Sequence, residues 1–230
     1  LPCLREFTAS ELDFVKQFKI DELHVDAGAS FLHEGARAEH LYTVLSGWAF
    51  RYKMLDDGRR QILNFALPAD MVGLQGTVMN EMEHSVEALT PLTLCVFPRA
   101  KLYELYSQFP TLAFDITWLA AREEQLIDEY LVSLGRRTAL ERTAFLLLHL
   151  FVRAQELGMV KDGVCQLPFT QQHLADALGL SLVHTNKTLK RLLATKAVSW
   201  KGRGFEVRDR AALVAIAGGD VSSHKPRPFI

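Results

Sequence analysis

Between Leu182 and Arg191 the chain places Asn186, Lys187, Lys190 and Arg191, whose amide and cationic groups can read base edges and hold phosphate oxygens. Asn carries a donor and an acceptor that match adenine, and Lys reaches the acceptors of guanine. Asn186 and Lys187 are therefore the expected base readers, with Lys190 and Arg191 on phosphate. Leu182, Val183 and His184 open the same segment beside them, and Gln171 opens the segment before it. Further on, Lys201-Gly202-Arg203-Gly204 resembles a hairpin tip, where Gly makes the turn and Lys201 and Arg203 can approach a duplex backbone. Other chemistries lack their parts. His33, His40 and His84 are irregularly spaced in loop-like stretches, which suits ordinary polar roles better than metal or haem ligation. Asp56-Asp57 and Glu123-Glu124 read as an exposed turn and a helix face rather than acid–base pairs. The sequence holds no phosphate-cradling P-loop, no Gly-x-Ser-x-Gly elbow and no zinc-protease spacing, so an enzyme is not expected.

The elements around the cationic segment support that chemistry. Leu174, Ala175, Leu178, Gly179-Leu180-Ser181, Val183, Leu189, Leu192 and Leu193 describe two short helices joined by a tight turn within Thr170 to Thr195. Ala175 lets the helices cross closely, and Gly179 suits a turn position with positive φ. In a helix-turn-helix of this kind the second helix enters the major groove with its first turns against the bases. Upstream, Thr138-x-x-Glu141 predicts a capping-box start to a helix running to about Leu157, rich in Leu and Phe.

The front half has another texture. Leu41 to Met54 is dense in aromatic and β-branched residues and is broken once, at Ser46-Gly47. Asp56-Asp57-Gly58 then predicts a hairpin into Arg60 to Leu67. Shorter strands are expected at Ser30 to Leu32, Ser85 to Leu89 and Leu92 to Phe97, together forming a small β-sandwich or jelly roll. Ala100 to Gln108 reads as a helix stopped by Pro110. From Thr111 to Leu134, Phe114, Trp118, Leu119, Leu126, Tyr130 and Leu134 recur at helical steps until Gly135-Arg136-Arg137 breaks the pattern. Such a helix is longer than its own domain needs, and the stripe predicts packing against a partner helix.

Charge divides along the same line. Of 230 residues, 1–135 carry 11 Lys or Arg against 20 Asp or Glu, whereas 136–210 carry 13 against 6. A basic back half is what a phosphate backbone attracts. Hydrophobic residues at 49% and charged residues at 23% exclude a disordered or fibrous chain. No apolar run approaches the roughly 20 residues that cross a bilayer, so no membrane partner is expected. Three scattered cysteines, Cys3, Cys95 and Cys165, point to a reducing, cytoplasmic setting.

Phe31-Leu32-His33-Glu34-Gly35, Leu41-Tyr42-Thr43-Val44-Leu45-Ser46-Gly47, Asp57-Gly58-Arg59-Arg60-Gln61-Ile62, Leu67-Pro68-Ala69-Asp70-Met71-Val72-Gly73 and the helix-turn-helix occur in an order that resembles the superfamily of the cyclic-AMP receptor protein and the oxygen regulator FNR, closer to the FNR branch. The resemblance spans nearly the whole chain and implies an α+β fold. It assigns 1–110 to a jelly-roll effector barrel, 111–135 to a dimerisation helix, 136–218 to a winged helix-turn-helix and 219–230 to a tail. It implies a homodimeric transcription regulator on palindromic DNA, with RNA polymerase as a further partner. The effector pocket falls at Gly73, Leu74, His84, Ser85 and Arg122. Cyclic-nucleotide binders of the family carry Gly-Glu and Arg-Ser-Ala where this chain has Gly73-Leu74 and His84-Ser85-Val86. The ribose and phosphate contacts are missing, so cyclic AMP is not the expected effector. The FNR branch implies an iron–sulfur cluster, for which Cys3 and Cys95 stand at matching positions. Two thiolates do not complete a four-cysteine site; further cysteines upstream of Leu1 would make the chain an oxygen-responsive regulator, and otherwise Cys95 is a core thiol. The recognition segment also departs from the family, with Val183 and Lys187 where Glu and Arg are common, so the target sequence does not carry over. The rival from another class, a cupin-like barrel enzyme, needs a cluster of His and carboxylate ligands that the sequence does not display.

Overall fold

A computed structural model describes residues 4–219 and 228. The chain divides into two compact units, one from Leu4 to Glu124 and the other beginning at Gln125.

The first unit opens with α1 (Ala9–Phe18), started by a capping box in which the Thr8 side chain accepts from the Glu11 N–H and the Glu11 carboxylate accepts from the Thr8 N–H. There follow β1 (Asp21–Val25), β2 (Ser30–Leu32), β3 (His40–Ser46), β4 (Ala49–Met54), β5 (Arg60–Ala66), β6 (Met71–Val72), α2 (Leu74–Met79), β7 (Ser85–Ala88) and β8 (Leu92–Pro98). A 3-10 turn at Arg99–Lys101 leads into α3 (Leu102–Gln108) and α4 (Pro110–Arg136). The strands form two four-stranded antiparallel sheets, ordered β1-β8-β3-β6 and β2-β7-β4-β5. Alternate side chains of both, among them Val44 and Leu94 from one and Ala49, Ala66 and Val86 from the other, fill the core between them. On its outer side the first sheet offers Leu41, Met71 and Phe97 to Phe18 of α1, Leu105 of α3 and Leu112, Ile116 and Leu119 of α4.

The expected strands are present, and Gly58 makes the hairpin turn at φ +82°. The Ser46-Gly47 break is structural as well: Gly47 sits at φ +93°, where an added Cβ would lie 2.4 Å from the Pro91 carbonyl oxygen. At the start of the unit Arg5 ties the chain to α4. Its Nη1 donates to Glu11 at 3.1 Å and its Nε to Asp115 at 2.9 Å, while the Thr111 hydroxyl donates to Glu11 at 2.7 Å. The Arg5 hydrogen bond is the main reason the buried Glu11 carboxyl is lowered to about 2.

Helix α4 departs from expectation at both ends. Pro110 does not merely stop the preceding helix but opens α4, where its missing N–H costs nothing. At the other end the helix continues through Gly135 to Arg136, because one glycine costs only about 1 kcal/mol in a helix. The stripe predicted for a partner helix is also partitioned: Leu119 and Leu126 are buried within the chain, whereas Phe114 is 69% exposed. The exposed large apolar residues near the end are Ile127, Leu131, Val132 and Leu134, of which Ile127, Leu131 and Leu134 stand at the four- and three-residue steps of a coiled-coil seam.

The second unit contains α5 (Ala139–Glu156), β9 (Val160–Lys161), β10 (Val164–Gln166), α6 (Gln171–Leu178), α7 (Leu182–Ala194), β11 (Val198–Lys201), β12 (Gly204–Val207) and α8 (Arg210–Ala217). The capping box at Thr138 and Glu141 starts α5 as predicted. Its apolar face packs against α7 and α8, and the strands form a small sheet ordered β11-β12-β10-β9. Among the described residues no helix is long and apolar enough to cross a membrane. The predicted tail at 219–230 lies outside the described residues except for 219 and 228.

Candidate nucleic-acid interface

Three local devices shape the α6–α7 pair. Thr170 caps α6, its side chain accepting from the His173 N–H while His173 Nδ1 accepts from the Thr170 N–H at 3.1 Å. Gly179 ends α6 at φ +62°, and the Arg142 guanidinium of α5 donates to the last carbonyl, Leu178 O, at 2.8 Å. Ser181 then caps α7 by accepting from the His184 N–H, and the Thr185 hydroxyl donates to Ser181 O at 3.1 Å.

The inward face of α7 is Thr185, Thr188, Leu189 and Leu192, all buried. Thr185 and Thr188 thus take core positions of the helix crossing, facing Leu174, Ala175 and Leu178 of α6 as part of one buried set. The opposite face presents Leu182, Val183, His184, Lys187, Lys190 and Arg191, all exposed. Val183 is 66% exposed at the first turn, one helical turn before Lys187. Gln171 is exposed at the start of α6.

Asn186 has a different setting. It lies on the flank of α7 and lines a recess of about 550 Å³ shared with Thr170, Gln171, Lys190, Trp200 and Gly202. Its Oδ1 is buried there and has no hydrogen-bond partner. The far wall is the wing, a β11–β12 hairpin that turns at Gly202 with φ +59° and leaves Lys201 and Arg203 exposed at its tip. Trp200 holds the wing to the unit, its ring 5.9 Å from Phe169 and 5.5 Å from Phe205. Sequence reasoning missed this recess because Phe169 and Trp200, at opposite ends of the helix pair, carry no local signal of a shared wall.

The residues assigned to an effector pocket lie on several elements. Gly73 precedes α2 at φ +90°, with the His40 carbonyl 3.1 Å from where a Cβ would be. Leu74 packs on the cluster of Phe18, Leu41 and Phe97 outside the first sheet. His84 is buried just ahead of β7, and burial, with Arg51 and Lys53 adding repulsion, pushes its imidazole down to about 4. The Ser85 hydroxyl accepts from the Glu34 N–H at 3.0 Å. Arg122 is half-buried on α4.

Of the two cysteines proposed as cluster ligands, Cys3 lies outside the described residues. Cys95, on β8, packs against the Phe18 and Phe97 cluster, and burial raises its thiol. Cys165 is buried in the other unit and raised to about 11. Among the described residues no three His, Cys, Asp or Glu side chains are grouped to hold a metal.

Comparison with known proteins agrees with both halves. Residues 22–109 match the cyclic nucleotide-binding domain and residues 141–216 the Crp-like helix-turn-helix domain. The nitrogen fixation regulation protein FixK of Bradyrhizobium diazoefficiens is 33% identical over 195 residues, covering 85% of this chain and 81% of that protein. The transcriptional activator protein FnrL of Cereibacter sphaeroides is 28% identical over 222 residues, covering 95% and 88%. The structure of FixK2 from Bradyrhizobium japonicum aligns with a TM-score of 0.76 at 27% identity, covering 88% of this chain and 98% of that one. With a cyclic-nucleotide-binding-type β domain, a long helix and a helix-turn-helix in this order, the chain belongs to the CRP/FNR family of DNA-binding transcription regulators, on its FNR side.

Proposed function

We propose that the protein acts as a homodimer that places two copies of α7 in successive major grooves of a palindromic duplex. The observation that carries this reading is the outward face of α7, where Val183, His184, Lys187, Lys190 and Arg191 are exposed while Thr185, Thr188, Leu189 and Leu192 are buried. Val183 and Lys187, one turn apart on that face, meet base edges: the Val methyls suit a thymine methyl and the Lys ammonium suits guanine. Lys190, Arg191, Lys201 and Arg203 meet phosphate. Asn186, assigned to adenine from sequence alone, belongs in this reading with the backbone that passes between recognition helix and wing. Ile127, Leu131 and Leu134 supply the dimer seam.

Control runs through the β domain, and cyclic AMP is not its effector. Leu74 packs into an apolar cluster and His84 is held neutral, so neither offers the carboxylate or cation that the ribose and cyclic phosphate require. Contact with RNA polymerase is part of the same reading. Selection of duplexes from a random pool by the full chain tests the proposal. Enrichment of a two-fold symmetric site is expected, and absence of duplex affinity at low salt overturns it.

A further inference from the structure

One polar cluster stands apart from the DNA-binding surface. Arg51 of β4 and Asn64 of β5 are directly paired across the second sheet, and Val86 of β7 pairs with Arg51 on its other side. Their neighbours in the same registers, Ala49, Ala66 and Ala88, are core residues between the sheets, so Arg51 and Asn64 lie on the inner face by alternation. Both of their side chains converge on one acceptor. Arg51 Nη2 and Asn64 Nδ2, the latter at 2.8 Å, donate to Oε1 of Glu123, halfway along α4. Buried polar atoms without partners occur in the same domain. Asn64 and His84 are each only 6% exposed, and Asn64 Oδ1 and His84 Nε2 are buried without hydrogen-bond partners.

A guanidinium and a carboxamide aimed at one oxygen from an apolar sheet face form a receptor for a carboxylate. An unpaired Arg there would be costly, and among the described residues Glu123 is the group that accepts from the Arg51 guanidinium. We propose that the Arg51–Asn64 pair is a carboxylate-binding site occupied from within by Glu123, which acts as a built-in ligand and fixes the rotation of α4 against the β domain without a free effector. Four residues beyond Glu123 the exposed seam begins at Ile127. Seating the carboxylate therefore sets which face of α4 is turned outward. Arg51, Asn64 and Glu123 are positioning residues for the DNA-binding reaction, and that consequence rests on the function proposed above; occupancy of the site by a carboxylate does not.

Chemical rescue tests the site on the full chain. Glu123→Ala is expected to melt several degrees below the native chain and to recover at least half of that loss in 50–100 mM sodium formate, on the order of the occupancy a one-point charge-assisted contact gives. Sodium chloride at equal ionic strength, and formate added to Glu123→Ala carrying Arg51→Met, are expected to restore nothing. The affinity of Glu123→Ala for a duplex selected by the native chain is expected to fall at least tenfold and to rise again with formate. Equal responses to formate and chloride, or undiminished rescue in the double variant, overturn the carboxylate site. Rescue of melting with unchanged duplex affinity keeps the site and overturns its coupling to DNA. Should Glu123→Ala not fold, Glu123→Gln and Arg51→Met are combined instead, and additive losses in melting temperature overturn the proposal.

Discussion

Val183 and Asn186 are three residues apart on α7 yet meet different surroundings: the Val183 side chain stands in the open, whereas Oδ1 of Asn186 is buried in the recess beside the wing. A duplex lying on the outward face meets Val183 and Lys187 first. Changing either is expected to alter which bases a random-pool selection recovers, with about 1–3 kcal/mol redistributed at the affected position. Asn186→Ala is expected to weaken selected and unrelated duplexes alike. A changed base preference for Asn186→Ala with none for Val183→Ala would reverse the two roles.

In the proposed reading Lys190 and Arg191 meet phosphate rather than base edges. Replacing either with Ala is expected to lower affinity for all sequences and to flatten the dependence of log affinity on log salt by roughly 0.9 for each phosphate no longer neutralised. Binding titrations between 50 and 200 mM salt measure the slope, and an unchanged slope removes that residue from the phosphate set.

The seam prediction concerns residues that are already exposed in the single chain. Ile127→Glu with Leu131→Glu places like charges along the seam while leaving the chain's own core untouched, because both side chains point away from it. Sedimentation is expected to show a monomer, with duplex affinity down by more than tenfold. A stable dimer in the double variant would place the interface elsewhere.

Two buried groups are expected to make stability fall with acid. His84 titrates at about 4 in the folded chain against an ordinary 6.5, so the unfolded chain takes up a proton first as pH falls. Its contribution is complete above 6.5 and drains away between 6.5 and 4. Glu11, at about 2 against an ordinary 4.5, contributes fully above 4.5 and loses that contribution as pH falls towards 2. The melting temperature is expected to drop in two stages, and His84→Gln is expected to remove the upper stage alone. A native-like slope in His84→Gln between pH 6.5 and 5 would assign that stage to another group.

Gly47→Ala is expected to cost roughly 2 kcal/mol or more, since a Cβ would be driven into the Pro91 carbonyl from a left-handed backbone. Denaturant unfolding of the variant measures it; a loss below about 0.5 kcal/mol would show that the turn can relax.

What could be read from sequence was what neighbouring residues decide. Leu174, Ala175, Leu178 and Gly179 announce a helix and its end because periodicity and a left-handed glycine are local properties. The same holds for the capping box at Thr138 and the Asp57-Gly58 hairpin. Helix α2 was not legible, for its six residues include Gly76, whose Cβ would approach Met82 Sδ to 2.6 Å; only the packed fold requires that glycine. The strand β1 was missed because its pattern of mostly exposed residues lacks a clean alternation. Within the candidate interface, helical period placed Lys187, Lys190 and Arg191 outward, but Asn186 sits at the edge of the face, where packing of Trp200 and Phe169 decides what lies beside it. Glu123 looked like one of two carboxylates on a solvated face, since its partner Arg51 is 72 residues away in the chain.

The continuity of α4 through Gly135 has a mechanical result. Its 27 residues make a rod of about 40 Å with no joint in it. Between Pro110 at its first residue and Gly135 near its last, the shaft holds no proline or glycine, so the stretch carrying Glu123 and Ile127 is free of the residues that most weaken a helix interior.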